Sequence, residues 1–158
     1  MPHHPRSRNL RSGRYSEPGR IYLVTSTVEN RRPIFAEFCL GRLVVNEFRR
    51  AELQGKVTSL AWVIMPDHIH WLLELKSGSL AHLIKQVKAS SSVSINRASS
   101  CKGKLWQQGF HNRAIRQEED LIQVARYVIA NPVRAGLVKR IGDYPLWDAS
   151  WIGKPEAT

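Results

Sequence analysis

The stretch Met65-Pro66-Asp67-His68-Ile69-His70-Trp71-Leu72-Leu73-Glu74-Leu75 reads as a tight turn running into a strand. Side chains alternate faces along a strand, so Ile69, Trp71, Leu73 and Leu75 make one wholly apolar face, which the core claims. His68, His70, Leu72 and Glu74 are left on the other face. Two imidazoles then sit about 7 Å apart along that face, close enough to converge on one divalent cation. By itself His-x-His more often marks two surface or hydrogen-bonded histidines, so the rest of the chain must decide.

Outward from this stretch, residues 56–65 are a second strand, and the turn at Pro66-Asp67 folds the two into an antiparallel hairpin. The β-branched and aromatic run over residues 21–28 predicts the first strand. Leu40, Val44 and Phe48 recur at helical spacing within residues 37–54, and Gly55 ends that helix. Ser79 caps another helix with apolar Leu80, Leu83, Ile84 and Val87, which is expected to fray through the serine-rich residues 90–100. Residues 106–115 read as a fourth strand.

The last long helix is expected over residues 118–131, with acids at its positive N-terminal end and a broad apolar arc of Leu121, Ile122, Val124, Ala125, Val128 and Ile129. A short helical segment over residues 133–138 follows Pro132, and then an aromatic tail (Tyr144, Trp147, Trp151) packs back on the body. The order strand, helix, strand, strand, helix, strand predicts an α+β fold. It is a ferredoxin-like antiparallel sheet with helices on one face and a further helix near the histidine face. The divisions are a basic arm over 1–20, one domain over 21–143 and the tail over 144–158.

The chain's 158 residues hold 24 Lys and Arg against 13 acids, a net charge of +11 that attracts a polyanion, nucleic acid foremost. The arm, with Arg6, Arg8, Arg11 and Arg14, is suited to following a phosphate backbone or to serving as a solubilising tail. Cys39 and Cys101 stand far apart without a Cys-x-x-Cys, which excludes a disulfide scaffold and a zinc knuckle. No apolar run has the length of a membrane span and no hydrophobic signal core is present, so a cytoplasmic protein without membrane partners is expected.

Tyr127 and Asn131 lie four residues apart and therefore share one side of the last helix. If that helix crosses the histidine face, two imidazoles, a carboxamide and a phenol come together. A divalent cation held by three neutral ligands stays electrophilic and keeps open positions, and an oriented tyrosine hydroxyl can attack phosphorus. Duller roles stand beside these: Tyr127 as a packed ring with a wet hydroxyl, Asn131 as a cap for the segment after it. Glu74, about 13 Å along the strand from His70, is too far away to join as a ligand. Asp67 reads first as a turn residue, with an orienting or ligating role as alternatives. His111 reads as a DNA or structural contact.

Several blocks carry a resemblance: Ser16-Glu17-Pro18-Gly19 leading into Tyr22-Leu23-Val24-Thr25, Met65-Pro66-Asp67-His68-Ile69-His70, Trp106-Gln107-Gln108-Gly109-Phe110, and the run from Arg126-Tyr127 through Asn131-Pro132-Val133-Arg134-Ala135-Gly136 to Val138. The chain resembles the REP-associated tyrosine transposases, single-tyrosine members of the HUH nuclease superfamily. Relatives often carry Asn where this chain has Asp67. The resemblance implies that His68, His70 and Asn131 hold Mg2+ or Mn2+, and that Tyr127 is the nucleophile forming a 5′-phosphotyrosine link. It implies a substrate of single-stranded DNA with palindromic repeats folded as hairpins, and a monomer where insertion-sequence relatives pair into dimers. No obligate protein partner is inferred. DNA contacts are expected from the arm, Lys85, Lys88, Arg113, Arg116 and Arg134. The rival readings are a domesticated hairpin-binding protein with little catalysis and a water-using metal hydrolase with Tyr127 as bystander.

Overall fold

Burial alternates residue by residue along β1 (Ile21–Thr27), as a strand between two packed layers requires. A computed structural model describes residues 18–100, 102–116 and 120–150. In chain order the main elements are β1, α1 (Phe38–Leu53), β2 (Val57–Met65), β3 (His68–Leu75), α2 (Leu80–Ser99), β4 (His111–Ala114), α3 (Leu121–Ile129), α4 (Asn131–Arg134) and β5 (Trp147–Ala149). The strands form one sheet in the order β4-β1-β3-β2-β5, every adjacent pair antiparallel. The first four strands and α1 and α2 make the expected ferredoxin-like arrangement.

Each face of the sheet has its own core. On one, α1 and α2 cover Tyr22, Val24, Ile64, Ile69, Trp71, Leu73 and Leu75, with Phe48 of α1 stacked on Trp71 at 4.0 Å between ring centroids. On the other, α3 sets Ala125, Val128 and Ile129 against Ala61, Val63, Met65 and Leu72. The last helix therefore packs on the sheet face that carries His68 and His70.

Four local readings change. α2 does not fray at its serines but runs unbroken to Ser99. The buried stripe Leu80, Leu83, Ile84, Val87 continues through Ser91 and Ile95, and buried Ser91 accepts the indole N–H of Trp106 at 3.0 Å. The fourth strand is confined to residues 111–114, with Trp106 making only an isolated bridge to Val28. The last long helix starts at Leu121, because the Asp120 carboxylate accepts from the Ile122 and Gln123 N–H groups and caps it. Glu118 and Glu119 lie outside the described residues. The following helical segment occupies residues 131–134 rather than 133–138, and the chain turns away at Gly136 with φ +78°.

The tail is more than a packed flap. Residues 147–149 pair with β2 as the fifth strand, the Tyr144 hydroxyl donates to the Ile64 carbonyl at 2.6 Å, and Leu146 is buried against Gly41 of α1. Trp151 and the basic arm before residue 18, with Arg6, Arg8, Arg11 and Arg14, lie outside the described residues. Among the described residues no helix is long and apolar enough to cross a membrane.

Candidate metal centre and nucleophile helix

Strand alternation and register build the histidine site. His68 pairs with Thr27 and Met65 on the flanking strands, and His70 with Thr25 and Val63, which puts all six side chains on the α3 face. The imidazole centroids are 4.9 Å apart with the rings nearly perpendicular. Each ring is held by its Nδ1. That of His68 lies 2.8 Å from Asp67 Oδ1, and that of His70 lies 2.8 Å from Thr25 Oγ1. Arg31 Nε donates to the other Asp67 oxygen at 3.1 Å. The Asp67 carboxylate can only accept, so His68 Nδ1 carries the proton and its Nε2 is the nitrogen free to coordinate, while the Thr25 hydroxyl, which can donate or accept, holds the His70 ring through Nδ1.

Electrostatics favour the ligand form of these groups. Burial, then the nearby charges of His68 and Arg134, pushes the His70 pKa down to about 4, so that ring is neutral near pH 7. Burial works against the Asp67 carboxylate, but the His68 hydrogen bond and the charges of His68 and Arg31 outweigh it and hold Asp67 below its ordinary value. Asp67 is thus more than a turn residue: it anchors His68 and is itself anchored by Arg31.

Tyr127 sits on α3 with 60% of its surface exposed. The Arg134 guanidinium lies 3.9 Å over the centroid of its ring and donates through Nη1 to the Tyr127 carbonyl at 3.0 Å. The charge of the same guanidinium also acts on His70. Asn131 is not the cap of the short helix, which begins after Ala130. Its Nδ2 donates back to the Val128 carbonyl at 2.8 Å, which leaves the carboxamide oxygen as the atom that could coordinate. Among the described residues no three His, Cys, Asp or Glu side chains gather into a metal-sized group. A carboxamide oxygen is a ligand type that suits a hard cation.

The remaining candidates scatter. Glu74 is at the far end of β3, 3.6 Å from Lys76 Nζ. His111 and Arg113 are exposed on β4 and pair with Thr25 and Leu23, which puts them on the histidine face beyond β1. Arg116 is exposed just after β4, and Lys85 is exposed on α2, in the helix layer behind the sheet. Lys88 is engaged by the carbonyls of Gln107, at 2.9 Å, and Gly109. Thr25 and Arg31 escaped the sequence reading. Only the pairing of β1 with β3 brings Thr25 opposite His70, and no local pattern marks it.

A family model described as IS200-like transposases matches residues 20–131, from before β1 through the tyrosine helix to Asn131. The chain belongs to the IS200-like transposase family. The REP-associated tyrosine transposase of Escherichia coli K12 is 26% identical over 136 residues, covering 84% of this chain and 78% of that protein. A Haemophilus influenzae protein provisionally given the same name is 28% identical over 138 residues, covering 71% of this chain and 78% of its own length. A REP-associated tyrosine transposase solved bound to a REP hairpin matches with a TM-score of 0.71 at 23% identity, over 93% of this chain and 82% of that one. The last likeness speaks for the fold, and the IS200-like chain shares the solved protein's architecture.

Proposed function

We propose that this IS200-like transposase cleaves and rejoins single DNA strands through Tyr127, taking as substrate single-stranded DNA that carries hairpin-forming palindromic repeats. The substrate class rests on the name shared by its relatives and on the hairpin bound to the solved neighbour. The chemistry rests on one observation above the others, the histidine pair whose rings are both held through Nδ1, with His68 Nε2 left to coordinate.

His68, His70 and Asn131 would hold Mg2+ or Mn2+, which when bound supplies Lewis-acid polarisation of a phosphodiester oxygen. Asp67 keeps the His68 ring in one tautomer and orientation, and Thr25 holds the orientation of the His70 ring. The Tyr127 oxygen attacks phosphorus, the bond from phosphorus to the 3′ oxygen breaks, and the phenol proton leaves to solvent as the 3′ oxygen takes one up. The products are a 5′-phosphotyrosine link and a free 3′-hydroxyl. Attack by a 3′-hydroxyl on the same phosphorus reverses the step and releases the phenol, so rejoining needs no external energy source. Arg134, stacked on the Tyr127 ring, would meet phosphate charge beside the phenol.

Tyr127→Phe is expected to bind labelled hairpin DNA as well as the wild type and to form no denaturation-resistant adduct on gels in Mn2+. His68→Ala is expected to lose cleavage in Mg2+ and Mn2+ alike. An adduct at full yield from Tyr127→Phe overturns the nucleophile assignment. Hairpin binding by the wild type with neither adduct nor cleavage would select the binding-only reading, and a free 5′-phosphate without adduct would select the hydrolase.

A further inference from the structure

An arginine stands at a backbone position that suits glycine. The loop over residues 28–35, between β1 and α1, carries two consecutive left-handed residues, Asn30 at φ +62° and Arg31 at φ +49°. Asn visits this region readily, whereas a long side chain crowds its own backbone there. Hydrogen bonds hold the loop against the turn that precedes β3. The Val28 N–H donates to the Asp67 carbonyl at 2.9 Å, the Phe35 N–H to the Pro66 carbonyl at 2.9 Å, and the Arg31 N–H to the Val28 carbonyl at 2.9 Å. Arg32, next along at φ −65°, carries no such strain, and its Nη2 donates to the Lys104 carbonyl at 2.8 Å.

The strained backbone aims the Arg31 guanidinium at Asp67. Its Nε donates to Oδ2 at 3.1 Å, while Oδ1 of the same carboxylate takes the His68 Nδ1–H at 2.8 Å. Both carboxylate oxygens are thus engaged, one on either side. The Arg31 side chain is 61% exposed, and ion pairs so open to water add little stability. The pair therefore does not offset the cost of the left-handed backbone. Strain kept where it does not stabilise the fold marks a functional constraint.

We infer that Arg31 is a positioning residue of the histidine site: by holding the Asp67 carboxylate on His68 Nδ1, it keeps the proton on that nitrogen and leaves Nε2 free for a cation. The inference rests on the proposed metal reading and extends it one residue beyond the direct partner of the ring.

The test compares the wild type, Arg31→Gly, Arg31→Lys, and Asp67→Ala with and without Arg31→Gly. Each is followed by thermal melting, by calorimetric Mn2+ titration, and by long-range proton–nitrogen NMR of the His68 ring in the metal-free protein at about pH 8, where an ordinary imidazole is neutral. Glycine relieves the folded backbone and loosens the unfolded chain, two opposed effects, so Arg31→Gly is expected to melt no more than about 2 °C below the wild type. Its His68 ring is expected to change from one Nδ1–H form to a mixture with the Nε2–H form, and its Mn2+ affinity to fall about tenfold. Arg31→Lys restores a cation beside a singly bonded carboxylate oxygen and is expected to return to within about threefold of the wild type. In the Asp67→Ala background, Arg31→Gly is expected to change Mn2+ affinity by less than about twofold, because Arg31 acts through Asp67. A single Nδ1–H form with undiminished Mn2+ affinity in Arg31→Gly overturns the assignment. So does a loss of affinity that persists in the Asp67→Ala background, or one that accompanies a lower melting temperature and is not recovered by Arg31→Lys. If the wild type takes up no Mn2+, the metal reading fails instead, and the His68 tautomer in the metal-free protein still decides the role of Arg31.

Discussion

At the residue scale two side chains hold the histidine rings. Asp67 fixes the His68 ring and Thr25 fixes the His70 ring. Loss of such an orienting partner typically weakens a metal site by about 10- to 100-fold. Asp67→Ala is therefore expected to lower Mn2+ affinity in isothermal titration by that factor while the thermal melt stays near that of the wild type. Unchanged affinity would remove Asp67 from the site. Lys88 gives a pH signature. Its folded pKa is about 8 against an ordinary 10.5, so between those values the unfolded chain holds more protons than the folded one. The penalty of burying the ammonium is fully present below pH 8 and is relieved as pH rises toward 10.5. Denaturant midpoints should accordingly climb over that window more steeply for the wild type than for Lys88→Met; parallel curves would contradict the shift.

At the scale of elements, α1 meets the C-terminal segment closely at Gly41. A Cβ built on Gly41 would stand 2.5 Å from Leu146 Cδ1, so alanine there forces a buried side chain to move. Overpacking of this kind costs about 1–3 kcal/mol, against about 1 kcal/mol gained in helix propensity. Gly41→Ala is expected to destabilise by about 1 kcal/mol in urea titration. Adding Leu146→Val should recover part of that, with a coupling of at least about 0.5 kcal/mol, and strict additivity would show the contact to be absent. The serine-rich half of α2 teaches a related point. Low intrinsic propensity suggested fraying, but the four-residue spacing of Val87, Ser91 and Ile95 keeps one face buried, and packing overrides propensity.

At the scale of the whole molecule, the C-terminal strand closes the sheet edge on the β2 side. Residues 144–149 contribute the Tyr144–Ile64 hydrogen bond, the buried Leu146 side chain and the β5 ladder. Truncation after residue 143 is expected to cost more than about 3 kcal/mol, read as a large fall in melting temperature, since deleting one buried leucine alone costs about 2–5 kcal/mol. A truncated chain that melts like the full one would show that these contacts contribute little to stability.

The order of elements, the apolar face of β3 and the paired imidazoles on its reverse were legible from residues alone, because periods of 2 and 3.6 are local properties of a chain. The single helix expected to carry both Tyr127 and Asn131 ends at Ile129, and Asn131 opens the next short helix. What only tertiary structure decided are contacts set by register and long-range pairing: Thr25 on His70 across 45 residues, Arg31 on Asp67 across 36, and β5 on β2. A shift of one residue between strands would exchange the faces and break each of these contacts without altering the local periodicity of the sequence.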